Sequence, residues 1–150
     1  MSASVPRRWP PIATGIALVA ACLAVRACCA ADEQHTWFLG HAFGAECAFR
    51  LRFGIPCPNC GVTRAVILAL HGEWARAWRI APGGPALVIG TLVSAVTVMA
   101  LGIIRMRDAA PLVARAECLA PRVIYVSAAL VVLVWFVGWI ATVAQALAAR

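Results

Sequence analysis

Charge is scarce in this sequence. Of its 150 residues only 13% are Asp, Glu, Lys or Arg, where an average globular protein has about 25%. Lysine is absent, so all 13 basic residues are arginines, set against six acids for a net charge of +7. Hydrophobic residues make up 63%, more apolar surface than a water-soluble domain this small can bury. These proportions exclude an ordinary cytosolic enzyme, a disordered chain and a DNA-binding module. No basic face interleaved with aromatics remains once the long apolar runs are set aside, so no nucleic-acid partner is expected. Also missing are a Ser/His/Asp set, a phosphate-binding loop and a paired-carboxylate site. The apolar solvent this composition calls for is lipid.

What is present is a set of long uncharged runs. A bilayer-crossing helix needs about 20 apolar residues, and residues 80–104 and 123–149 each exceed that without a charge. Their few polar side chains, Thr91, Ser94, Thr97, Ser127, Thr142 and Gln145, are suited to bonding back onto their own helix or across to a neighbour. Small residues recur every fourth position as Ala86, Gly90 and Ser94, and again as Gly138, Thr142 and Ala146, a spacing that lets helix backbones approach closely in lipid. A first span over 10–31 contains Arg26, which near a helix end snorkels toward the headgroups. Arg7, Arg8 and the run 12–21 also fit a signal peptide, with Val19-Ala20-Ala21-Cys22 resembling a lipoprotein cleavage site. The apolar run continues past Cys22, which favours a retained helix.

The expected layout is therefore an all-α integral membrane protein with three transmembrane helices and a short re-entrant or interfacial helical hairpin. Its segments are a cytoplasmic N-terminus 1–9, helix 10–31, a cysteine-containing loop 32–79 with short helices, helix 80–104, a basic cytoplasmic loop 105–122 and helix 123–149. Arg7, Arg8, Arg105, Arg107, Arg115 and Arg122 crowd short stretches on one side. By the positive-inside rule that density sets an inner membrane protein with its N-terminus in the cytoplasm.

The loop 32–79 carries the chemistry. It holds Cys47 and then Cys57-Pro58-Asn59-Cys60-Gly61-Val62-Thr63-Arg64. Pro58 suits the first turn of a helix, so a helix from about 58 to 70 is expected, with Cys57 at its N-cap and Cys60 one turn in. Arg64 then falls on the face of Cys60, and the run 53–70 carries that single charge. His71 precedes Gly72 at the helix end, and Glu73 suits the first turn of the next helix by its charge. Trp74 and Trp78, with Arg76 and Arg79 nearby, read as an interfacial helix in the headgroup layer.

The run Cys57-Pro-Asn-Cys60-Gly-Val-Thr63-Arg64-Ala65, with Cys47 before it and Gly72-Glu73 after it, resembles the bacterial membrane-protein family known as domain of unknown function 2752. The resemblance extends from Cys47 to roughly Val88. It implies a small multi-span protein and marks Pro58, Gly61, Thr63, Arg64, Gly72 and Glu73 as motif residues without implying a reaction. Where such proteins continue with an Arg-Tyr-Asn-Pro-like run, this chain has Arg79-Ile80-Ala81-Pro82, so the polar role of that asparagine is not carried over.

Three readings of the cysteines stand side by side. A Cys-Pro-x-Cys-Gly knuckle aims two thiolates at one ion, and a tetrahedral zinc site is completed by Cys47 with His71 or His41. Alternatively, Cys57 attacks and Cys60 resolves in thiol–disulfide exchange, with Arg64 as the nearby positive charge. No second Cys-x-x-Cys, no thioredoxin-like alternation and no quinone or flavin signature accompanies the motif. The third reading is structural: packed thiols or a static disulfide in an accessory membrane component, with a membrane-protein partner or a second copy as its company. Cys22, Cys28 and Cys29 belong to the first span, and Cys118 lies on the opposite side from the cluster. A membrane-impermeant thiol reagent, applied to intact cells with reductant and chelator, is expected to modify Cys47, Cys57 and Cys60. Cys118 should react only after permeabilisation; labelling in the reverse order would invert the topology.

Overall fold

The computed structural model describes residues 11–32, 35–43, 47–53, 57–106 and 110–148. The expected N-terminal segment 1–9 with Arg7 and Arg8, together with Arg107 and Arg150, lies outside the described residues. Three helices are long and apolar enough to cross a membrane, over Pro11–Cys28, Gly83–Arg105 and Ala114–Ala148, and the fold is all-α as expected.

Helix α1 (Pro11–Cys28) begins on a proline, whose missing N–H is an orphan in the first helical turn anyway. It leads into an unanticipated antiparallel meander of β1 (Cys29–Ala31), β2 (Thr36–Phe38) and β3 (His41–Phe43). Cys29 pairs with Phe38 and Ala31 with Thr36, and on the other side Thr36 pairs with Phe43 and Phe38 with His41. The strands are three residues each, too short to show the alternation by which a strand is read from sequence. The Asp32 carboxylate accepts the His35 N–H at 2.6 Å in the first connection. A short α2 (Ala48–Phe53) follows.

Helix α3 (Val62–Leu70) carries the buried core on one face. Val62, Ala65, Leu68 and Ala69 cluster with Ala77, Ala81 and Val88, and Ile80 and Trp135 pack against them. The helix ends in a hydrogen-bonded cap: Gly72 N–H reaches Ala69 O at 3.0 Å and Glu73 N–H reaches Leu68 O at 2.9 Å. That pattern requires a left-handed residue, and Gly72 supplies it with φ +91°. Arg26 donates from the end of α1 to the Leu70 carbonyl, so this arginine neutralises a helix C-terminus rather than only reaching for headgroups.

Helix α4 (Trp74–Ile80) turns its Ala77 inward and leaves Trp74 and Trp78 partly exposed, one turn apart. Ala81 precedes a proline and is extended, as such residues are. Helix α5 (Gly83–Met106) then runs against α6 (Ala110–Ala148) and α1. Most of the segment expected as loop 105–122 is helix: it forms the first turns of α6, tied to α5 by Arg105 Nε donating to Glu117 Oε1 at 3.1 Å. Thr91, Ser94, Thr97 and Thr142 donate to the carbonyl four residues back at 2.6–2.9 Å, which satisfies them without a neighbour.

The small-residue rows lie at helix contacts. A Cβ on Gly90 would stand 2.7 Å from Val131 Cγ2, and one on Gly138 would stand 3.0 Å from Pro82 Cγ. The tightest contact to backbone lies elsewhere, at Gly84, where a Cβ would meet Ala65 Cβ at 2.4 Å and the Val66 nitrogen at 2.8 Å. Gly84→Val is expected to destabilise the protein by about 1–3 kcal/mol, because backbone cannot move aside as a side chain can. Val132→Ala on the lipid-facing side of α6, where Val132 is 52% exposed, should stay within about 0.5 kcal/mol. Thermal unfolding in detergent, followed by circular dichroism, compares the two.

Candidate functional site

Residues 57–60 form a turn closed by the Cys60 N–H donating to Cys57 O at 3.0 Å, with Pro58 at the second position, which proline favours. Gly61 takes φ +82°, and Val62 N–H returns to Asn59 O at 3.2 Å. A side chain on Gly61 would be strained by that angle and would lie 2.9 Å from Ile80 Cγ2. The left-handed residue interrupts the helix expected from 58, so α3 starts at Val62 and both motif cysteines precede it. Cys57 is therefore not at a helix N-cap, and the expected helical face shared by Cys60 and Arg64 does not form.

The turn brings sulfur together instead. Cys57 Sγ lies 3.3 Å from Cys60 Sγ, with no bond between them. Cys47, whose carbonyl accepts Leu51 N–H at 3.0 Å at the start of α2, adds a third sulfur, and all three Sγ atoms lie within 4.8 Å of one another. All three are half-buried. Burial pushes the Cys60 thiol up to about 12, and hydrogen bonds with Cys57 and Cys47 push the same way. The Cys60 thiol is thus held toward its neutral form beside the other two sulfurs.

Helix α6 holds the turn from behind. Trp135 Nε1 donates to Pro58 O at 2.7 Å across 77 positions of sequence. A cavity of about 30 Å³ lies between turn and helix, bordered by Cys57, Cys60, Ile80, Trp135, Trp139 and Thr142. Sequence reasoning did not connect Trp135 and Trp139 with the cysteines. Their four-residue spacing within an apolar run was the available signal, and it reads equally well as packing.

Other expected site residues fall apart from the cluster. His71 caps α3 through its backbone, and its Nε2 lies 2.9 Å from Cys29 O, so it is not among the converging ligand atoms. His41 is exposed at the start of β3. Thr63 is exposed in the first turn of α3, while Arg64 is half-buried, its guanidinium beside Gly61. Glu73 is the residue before α4 and pairs with Arg76.

Three membrane-length helices among the described residues, with a sulfur-bearing loop docked against all of them, define a multi-span membrane protein. Residues 47–95 match the family described as protein of unknown function (DUF2752). Comparison with curated proteins and with solved structures finds no match. The matched segment contains all three cysteines, α3, α4 and the half of α5 that carries Gly84.

Trp135→Phe keeps most of the apolar ring but leaves Pro58 O without its donor. It is expected to lower stability by about 1 kcal/mol and to speed the reaction of Cys57 and Cys60 with a soluble thiol reagent. Val132→Ala, on the exposed face of α6, should leave that rate near wild type.

Proposed function

We propose that this protein is an accessory or structural component of the bacterial inner membrane whose Cys47, Cys57 and Cys60 bind a soft divalent cation, with zinc as the candidate. The observation that carries this reading is the convergence of three unbonded sulfurs within 4.8 Å. A tetrahedral zinc with Zn–S bonds of about 2.3 Å holds its sulfurs about 3.8 Å apart, so small side-chain adjustments suit the triad to the ion. The cavity of about 30 Å³ beside Cys57 and Cys60 has room for one water, which supports water as the fourth ligand. His71, engaged with Cys29 O, is not needed for it. Three thiolates leave the centre with a net negative charge, and the Arg64 guanidinium beside Gly61 offsets part of it.

The arginine density at Arg105, Arg115 and Arg122 supports a cytoplasmic N-terminus, with the cluster on the outer side of the bilayer. A membrane-protein partner or a second copy is the natural company for so exposed a helix as α6. Protein purified in detergent is expected to hold about one equivalent of zinc by elemental analysis, bound by three thiolates and a water. Cys47→Ser, Cys57→Ser and Cys60→Ser should each reduce it severalfold, whereas His71→Gln should not. Metal-free protein, or zinc that survives Cys47→Ser, would overturn the reading.

The 3.3 Å approach of Cys57 and Cys60 favours one second reading, since a disulfide needs the sulfurs at about 2.05 Å. In that role the Cys57 thiolate attacks a partner protein's disulfide, and Cys60 then displaces the partner. The partner leaves as a dithiol and Cys57–Cys60 is left oxidised. Cys60→Ser then traps a mixed disulfide and Cys57→Ser does not.

A further inference from the structure

A second feature lies away from the cysteines, on the membrane-facing side of the α5–α6 pair. An open groove of about 530 Å³ runs between the two helices, lined by Trp78, Gly90, Val93, Val126 and Leu130 among others, with Arg122 the one charged side chain among the described lining residues. On α6 it extends from Val134 to Arg122, about 18 Å at the helical rise. One leaflet of a hydrocarbon core is about 15 Å deep. Among the described lining residues the one hydroxyl, that of Ser127, already donates to Ile124 O at 2.9 Å, so between the Trp78 indole and Arg122 the groove is apolar.

Arg122 lies farther along α6 than the other arginines of the segment 105–122. The Arg105–Glu117 pair marks one level on the two helices, and Arg105 ends the uncharged stretch of α5. Arg122 lies five residues farther along α6 toward the centre of the span, about 7–8 Å deeper. It is exposed and makes no hydrogen bond or ion pair within the described residues. A cation at the edge of the apolar zone attracts an anionic headgroup where one is within reach.

We infer that this groove is a site for one anionic phospholipid, its acyl chain lying along α5 and α6 and its phosphate drawn down to Arg122. Bulk lipid would cover the same surface without preference for headgroup. The charge at the end of a wholly apolar channel selects an amphiphile with a negative head. The inference stands apart from the metal reading, because none of the three clustered cysteines borders the groove.

Native mass spectrometry of the full chain released from detergent, titrated with phosphatidylglycerol or phosphatidylcholine of identical chains, tests it. One lipid should bind with at least about a fivefold preference for phosphatidylglycerol, the factor expected for one arginine near the membrane surface. Arg122→Gln should bring the ratio close to unity, and Arg122→Lys should keep most of it. Val126→Trp, which fills the groove, should weaken both lipids. Arg115→Gln, two helical turns outside the groove, should leave the ratio as in the wild type. Equal binding of the two lipids by the wild type would overturn the inference, as would a ratio that survives Arg122→Gln. So would a ratio that Arg115→Gln lowers as much, since bulk charge and not a site would then be responsible.

Discussion

The seat of α3 on the start of α5 is the contact on which the rest of the structure depends. Gly84 presents no side chain, and the Ala65–Val66 backbone occupies that space. Ala65, Leu68, Ala69, Ala77, Ala81 and Val88 close around it as the one well-buried cluster among the described residues. The long helices contribute little of this kind: α6 buries almost nothing against the rest of the chain, as expected where lipid is as apolar as the side chains it covers. The packing that orders the loop is thus a small aqueous-style core standing at the end of a lipid-facing bundle.

Turns and helix ends around such a core leave backbone groups that need partners. Each end of the cysteine-bearing segment meets this demand through a distant donor or acceptor. Arg26 covers the Leu70 carbonyl, His71 reaches the Cys29 carbonyl, and Trp135 covers the Pro58 carbonyl. These contacts come from α1, β1 and α6, so the motif is clasped by every part of the chain that brackets it. The same clasp aims three sulfurs at one point, because Cys47 enters from α2 while Cys57 and Cys60 enter from the turn.

Much of this was legible from residue order. The runs without charge marked the three long helices, and their hydroxyls were expected to bond back onto the helix, as four of them do at the fourth residue before. The glycine at 72 announced the end of α3, and Trp74 and Trp78 announced a short helix with one aromatic face. Pro58 misled, because a proline serves the second position of a turn as well as the first turn of a helix. The glycine three residues on decides between them, and its positive φ became visible only in the fold. His71 read either as a helix cap or as a metal ligand; it is the C-cap of α3, and its ring lies beside a carbonyl 42 residues earlier.

Sequence alone determined the solvent of this protein, the number of its long helices and the identity of its reactive side chains. Those properties follow from composition and from local periodicity, which are written along the chain. Tertiary structure decided which sulfurs meet, that Arg26 and Trp135 hold the loop, and that Arg122 borders one end of a groove between α5 and α6. Such choices depend on packing between segments dozens of residues apart, and close approach at a residue such as Gly84 has no signature in local order.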